Sequence, residues 1–131
     1  MNDVHLYSLS KNLEIENRGL VGLQTAKEAI DKYAHAHANI QGSVEYVASH
    51  SIFGFSVGEN AFLEIHIESE THFRVKFKMN EEIKLWFLKL PGFFEKTLTI
   101  NGTNALKELV TKFYELPPPQ FKDHFLTICA T

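Results

Sequence analysis

The feature that most constrains the fold is an alternation of apolar and polar residues between Ala61 and Met79. From Leu63 to Ile67, and again from Phe73 to Met79, every second residue is apolar and the residues between are charged or histidine. Alternation with a period of two is typical of a β-strand with one buried and one solvent-facing side. The polar residues at 69–71 separate the two runs, so the sequence predicts a β-hairpin.

The register of this hairpin follows from its two faces. Side chains that share a face must meet across the strands, so the numbers of paired residues have an even sum. A turn at residues 69–71 then pairs Ile67 with Phe73, Ile65 with Val75 and Leu63 with Phe77 on the buried face. On the other face the pairs are Glu68 with His72, His66 with Arg74, Glu64 with Lys76 and Phe62 with Lys78. Opposite charges across strands, worth about 0.2–1 kcal/mol per pair, help to select this register.

Length and composition indicate one globular unit. The chain has 131 residues, of which 44% are hydrophobic, so we expect a single α+β domain over residues 1–131. A net charge of −3 argues against a nucleic-acid binder, which is usually basic. Cys129 is the single cysteine and cannot form an internal disulfide. We find no signal-peptide pattern and no apolar run that would span a bilayer, so we expect a cytoplasmic protein without membrane association.

Two main helices are predicted on either side of the strands. Thr25 and Glu28 have the spacing of a capping box, which predicts a helix over residues 25–38. Thr103 is expected to cap a second helix that ends near Leu116.

The two ends of the chain are less regular. Pro117–Pro119 is expected to form a stiff polyproline elbow before a short helix over residues 120–127. Residues 1–24 are compatible with a short helix or with a strand.

Further strands are predicted before and after the central hairpin. They span residues 43–48, 52–57, 83–90 and 94–100, with a turn at 80–82 and a longer loop at Pro91-Gly92. The predicted fold class is therefore α+β, an antiparallel β-meander of five to six strands with two main helices packed on one face and a short C-terminal helix.

The polar face of the sheet is the candidate binding site. A turn at residues 80–82 would set Trp86 opposite Lys76, Leu88 opposite Arg74 and Leu90 opposite His72. Aromatic residues and arginine ringed by charge have the composition of a protein-binding hot spot. The candidate partner-binding residues are Glu64, His66, Glu68, Arg74, Lys76 and Trp86. A helix or the N-terminal segment covering this face is the alternative.

Other kinds of chemistry have weaker support. Glu64, His66 and Glu68, with His72 opposite, are possible metal ligands by type, but Arg74 and Lys76 on the same face would repel a cation. No motif for a nucleophile, a phosphate loop or a zinc site is present, so we expect no catalytic residues, no metal and no cofactor.

A small-ligand-binding or enzymatic domain with an apolar pocket between sheet and helices is the competing function. Some of the eleven phenylalanines would line that pocket. That these side chains simply fill the core is the simpler interpretation.

In size, mild acidity, absence of catalytic motifs and meander-plus-helix plan, the chain resembles the small cytoplasmic immunity proteins that bacteria pair with secreted toxins. The resemblance implies one-to-one binding to a protein partner, a toxin domain, whose active site or target contact is thereby blocked. We expect no nucleic-acid ligand, because the net charge is negative and Glu64 and Glu68 lie on the same face as the basic residues. The site residues come from the analysis of the sheet face, because the resemblance transfers no residue.

Overall fold

A computed structural model of the chain describes residues 1–10, 12–39 and 51–130, with only the backbone of Leu85. Within these residues the fold is α+β, with three helices and one antiparallel sheet in the order β2-β1-β3-β4-β5-β6. The strands are β1 His5–Leu9, β2 Ile15–Leu20, β3 Ile52–Val57, β4 Ala61–Ile67, β5 His72–Leu85 and β6 Leu88–Asn101. The helices are α1 Leu23–Ala38, α2 Thr103–Glu115 and α3 Pro118–Cys129. The predicted fold class is confirmed, whereas the strand predicted over 43–48 lies outside the described residues.

One face of the sheet is sealed by the helices. The odd-numbered residues from Leu63 to Ile67 and from Phe73 to Phe77 are at most 4% exposed. Against them pack the apolar stripes of the helices, whose spacing of three to four residues places them on one side of each helix. The stripes comprise Ala26, Ile30 and Ala34 of α1, Leu106, Leu109, Val110 and Phe113 of α2, and Phe121 and Phe125 of α3.

Phenylalanine rings dominate this core. The ring of Phe77 lies 4.8 Å from that of Phe121, 5.7 Å from Phe125 and 6.3 Å from Phe113, measured between centroids. Seven of the eleven phenylalanines are buried, so most of the surplus seen in the sequence fills the core.

The register predicted for the central hairpin is confirmed. Leu63 pairs with Phe77, Glu64 with Lys76 and His66 with Arg74, as the even-sum rule requires. The Glu68 N–H donates to the His72 carbonyl oxygen at 3.0 Å, which closes the hairpin over residues 69–71.

The predicted turn at residues 80–82 is wrong. Strand β5 continues to Leu85 and turns at Trp86 and Phe87, so that β6 pairs with it over fourteen residue pairs. Lys76 therefore faces Thr97 of β6, and Pro91 and Gly92 lie within β6 opposite Glu82 and Glu81. The pairs predicted across that turn, Lys76 with Trp86, Arg74 with Leu88 and His72 with Leu90, are wrong for the same reason.

The helix starts differ from the predicted ones. Helix α1 begins at Leu23 with Gly22 as its N-cap, so Thr25 lies inside the helix and the capping box does not form. Helix α2 has Gly102 as its N-cap, one residue before the predicted Thr103.

The prolines after α2 do not form a separate elbow. Pro117 is the N-cap of α3, and Pro118 and Pro119 occupy its first turn, where a missing N–H costs no helical hydrogen bond. The N-terminal residues form the β1–β2 hairpin, so strand is the correct alternative there.

Candidate functional site

The side of the sheet opposite the helices, here called the outer face, is open to solvent along its centre. It carries the even-numbered residues of β4 and β5, because successive side chains of a strand point to opposite sides. Side-chain exposures are 42% for Glu64, 24% for His66, 50% for Glu68, 52% for Arg74 and 38% for Lys76. These five predicted site residues therefore share one accessible surface.

The five residues form a ladder in which the two carboxylates contact basic or imidazole side chains. The Glu64 carboxylate lies 3.4 Å from His66 Nε2 and 3.6 Å from Lys76 Nζ. Lys76 Nζ also contacts a Glu95 oxygen at 3.2 Å, and Arg74 Nε lies 4.0 Å from a Glu68 oxygen. Since all the partners are partly exposed, each pair contributes little to stability, and the ladder mainly presents a fixed charge pattern.

These contacts shift two pKa values. The hydrogen bond with His66 is the largest cause that lowers the pKa of Glu64 below its ordinary 4.5, and Lys76 adds attraction, while partial burial acts in the opposite direction. The pKa of Lys76 is raised above its ordinary 10.5, first by its hydrogen bond to Glu95 and then by the charge of Glu64. Both groups are thus held in their charged forms at neutral pH.

Beside the ladder, the outer face contains an apolar hollow of about 390 Å³. Its apolar walls include Tyr7, Leu9, Ile15, Ile52 and Phe62. Glu64, Lys76, Lys78 and Glu95 form its charged border. An apolar centre ringed by charge is the composition that the sequence analysis assigned to this face, but its apolar residues come from β1–β4 rather than from Trp86.

Gly54 explains why a hollow exists here. It pairs with Tyr7 on one side and Glu64 on the other, so it lies in the middle of the outer face. A Cβ at this position would lie 2.9 Å from the Leu63 carbonyl oxygen, and the strands approach this closely only because position 54 has no side chain.

Next to the hollow, the rings of Tyr7 and Phe62 make an edge contact at 6.2 Å between centroids. They belong to β1 and β4, so their contact crosses β3, which lies between these strands. Ser56 of β3 is fully buried, and its Oγ has no hydrogen-bond partner among the described residues.

Trp86, the sixth predicted site residue, lies away from the other five. It is 96% exposed at the tip of the β5–β6 hairpin and has a left-handed backbone with φ 57°. Residues 80–93, here called the arm, extend past the last residue pair of β4 with β5, Ala61 with Met79. The candidate site predicted from sequence is therefore two separate surfaces, the outer face and the arm.

Within the described residues, no group of three or more His, Cys, Asp or Glu side chains has the arrangement of a metal site. Glu64 and Glu68 instead contact the basic side chains of Lys76 and Arg74. His72 Nδ1 lies 3.1 Å from Ser69 Oγ and 3.0 Å from Thr71 Oγ1 in the hairpin turn.

Of the apolar half of the outer face, only Phe62 was identified from the sequence. Tyr7, Leu9 and Ile15 belong to a segment whose secondary structure was left open. The available signal was Gly54, since an isolated glycine within a strand pattern marks a bulge or a close backbone approach.

Comparison with known proteins yields no match, whether with protein-family models, curated proteins or solved structures. Among the described helices, none combines the length and apolar character needed to cross a bilayer.

Proposed function

We propose that this chain is a non-enzymatic protein-binding module that docks its partner on the outer face of the sheet. The observation that carries the proposal is the apolar hollow bordered by Glu64 and Lys76, which belong to the charge ladder with His66, Glu68 and Arg74. An apolar side chain of a partner would fill the hollow, and complementary charges would surround it.

The mixed charges of the ladder favour one specific partner over a class of polyanions. The acidic side chains lie on or directly after β4 and the basic ones on the neighbouring β5, within about 4 Å of each other, so a surface of uniform charge would be repelled by one of the two strands. A partner with the complementary arrangement of charges would be selected in one register.

The best-supported biological role is that of a cytoplasmic immunity protein that neutralises a cognate bacterial toxin by one-to-one binding. This role rests on the small size, the mild acidity and the α+β plan of the chain. Blocking a toxin requires no chemistry from the inhibitor, only an interface of about 800 Å² per partner with a well-packed centre.

Affinity capture from the native host tests this proposal. The baits are the wild-type chain, Lys76→Glu and Phe62→Ala on the outer face, and Lys32→Glu, an exposed residue of α1, as matched control. We expect one protein retained by the wild type and by Lys32→Glu and lost with the two outer-face variants.

The captured protein is then expressed alone and together with the chain. Toxicity that the wild type relieves and Lys76→Glu does not would support the immunity role. A captured protein that is not toxic would overturn that role while leaving the binding proposal intact. If no protein is retained by the wild type and lost with the outer-face variants, both proposals would be overturned.

A small apolar ligand is the second candidate for the same hollow. Its volume of about 390 Å³ lies within the usual range for ligand sites. This hollow lies on the outer face, whereas the pocket predicted from the sequence lies between sheet and helices. Mass spectrometry of the purified native chain, with release of one bound small molecule on unfolding, would favour this candidate.

A further inference from the structure

The arm of β5 and β6 is a two-stranded ribbon that projects beyond the rest of the sheet. Six residues on each strand, at about 3.3 Å per residue, extend it by roughly 20 Å. An isolated two-stranded ribbon is at most marginally stable in water, so an arm of this length calls for further packing. Near its base, Glu81 forms an ion pair with Lys122 of α3, which holds the arm against the body.

The apolar face of the core continues along the arm after the helices have ended. Ile83 pairs with Leu90, on the same face as Phe77 and Met79. Ile83 is 47%, Leu88 54% and Leu90 43% exposed. The arm thus has an apolar face that no described part of the chain fully covers.

The arm leaves a large apolar area uncovered. Trp86, Phe87 and Phe93 are 96%, 86% and 59% exposed. At about 150–250 Å² for each aromatic side chain, these three alone expose roughly 350–600 Å². These side chains do not share one face, because Phe93 pairs with Asn80 and lies opposite the face of Ile83 and Leu90, so pairing along an edge would cover only part of this area.

The two edges of the arm differ in their capacity to pair. The edge formed by β6 contains Lys89 and Pro91, which lacks an N–H, and Lys96 follows beyond the arm, so this edge is blunted against strand addition. The other edge is formed by β5. There the Asn80 N–H donates to the Asn60 carbonyl oxygen at 2.8 Å, and in the described residues this is the last backbone hydrogen bond on that side of β5. By alternation, the N–H groups of Glu82 and Lys84 point to this same open edge.

This open edge is complementary to itself. Glu82 and Lys84 lie on one face, two residues apart, with Ile83 between them on the other face. When two such edges run antiparallel about a two-fold axis at Ile83, Glu82 of each copy lies opposite Lys84 of the other. The paired numbers sum to 166, so both faces match, and Glu82 and Lys84 exchange backbone hydrogen bonds across the axis.

Lys84 has a like-charged neighbour within its own chain. Within one chain it lies opposite Lys89, and like charges directly opposite each other destabilise a strand pair. Glu82 of a second copy would supply the missing opposite charge.

We propose that a second copy of this chain is the occupant of the arm, and that two chains dimerise by antiparallel pairing of their β5 edges about Ile83. The two arms then form one four-stranded ribbon, in which the apolar faces of both arms lie on the same side. Trp86 of each copy meets the other copy at Asn80, beside Asn60 at the start of β4. The outer face of each body stays free, so this inference is independent of the proposed function.

Sedimentation equilibrium tests the proposal on the full chain. We expect a mass of twice 15.0 kDa that falls to one chain on dilution. Trp86 is the only tryptophan, so its fluorescence should shift to longer wavelength over the same dilution range.

Charge reversal tests the register. Glu82→Lys and Lys84→Glu should each weaken dimerisation roughly tenfold or more, because each creates two like-charge pairs across the axis. The double variant restores both pairs and should recover most of the lost affinity. Lys96→Glu on the β6 edge is the matched control and should dimerise like the wild type, with circular dichroism checking the fold of each variant.

Three results would overturn the proposal. The first is a chain that remains monomeric at every attainable concentration, whether or not its arm binds lipid vesicles. The second is a double variant that dimerises as weakly as the single variants. The third is a dimer that Lys96→Glu disrupts as strongly as Glu82→Lys does.

Discussion

Glu64 is the residue on which the charges of the outer face converge. It contacts His66 on its own strand and Lys76 on the next strand, and Lys76 in turn contacts Glu95 of β6. The cross-strand part of this arrangement was predictable, since alternation fixed the register of β4 and β5. Glu95 was not predictable, because it reaches Lys76 only once β5 extends to Leu85.

The pKa of Glu64 gives a direct test of this cluster. A titration of its carboxyl carbon by NMR should give a pKa below 4.5 in the wild type, and a value closer to 4.5 in His66→Ala. Because the folded pKa is the lower one, Glu64 stabilises the fold above pH 4.5, and this contribution is lost as the pH falls through the folded value. His72→Ala, on the same face, is the control and should leave the Glu64 pKa unchanged.

A second prediction at the scale of single residues concerns Gly54. Gly54→Ala should lower the free energy of unfolding by about 1–3 kcal/mol, because the new Cβ would be forced against the backbone of β4. Gly22→Ala is the control, because its added Cβ meets open space and the change should cost at most about 1 kcal/mol through the N-cap of α1. Chemical denaturation measures both, and an equal loss in the two variants would contradict the close approach of β3 and β4.

At the scale of elements, the β5–β6 hairpin shows where local sequence signals fail. Asn80-Glu81-Glu82 has the polar character of a turn, and Pro91-Gly92 that of a loop, yet both lie in paired strands. Fourteen residue pairs, with the aromatic and β-branched residues that favour strands, outweigh local preferences of about 1 kcal/mol. The actual turn carries Trp86, which no turn rule would select.

The start of α1 also differs from the predicted one, for a similar reason. Starting α1 at Leu23 adds the hydrogen bond from the Ala26 N–H to the Gly22 carbonyl oxygen, at the cost of the capping box. A cap contributes only about 1 kcal/mol, so tertiary packing easily moves a helix start by a few residues.

The backbone of Trp86 gives the prediction for this scale. Its φ of 57° is a left-handed conformation that costs an L side chain about 1–2 kcal/mol. Trp86→Gly should therefore be more stable than Trp86→Ala by about 1 kcal/mol, although both remove the same exposed ring. Thermal unfolding of the two variants measures the difference, and an alanine variant at least as stable as the glycine variant would argue against this turn.

At the scale of the whole molecule, the two sides of the sheet have different roles. The helices seal one side with a core rich in phenylalanine, and the side chains of the ladder on the opposite side stay partly exposed. The sequence predicted this sidedness for β4 and β5, because charged residues at every second position cannot be buried. It did not predict the hollow, because the hollow depends on the pairing of β1 with β3, which are more than forty residues apart in the sequence.

The affinity of the purified partner for outer-face variants tests the central claim most directly. Calorimetry should give a dissociation constant at least roughly tenfold higher for Lys76→Glu than for the wild type, because the reversed charge would face the partner across a desolvated contact. Lys32→Glu on α1 should bind like the wild type. Equal affinities for Lys76→Glu and the wild type would contradict docking on the outer face.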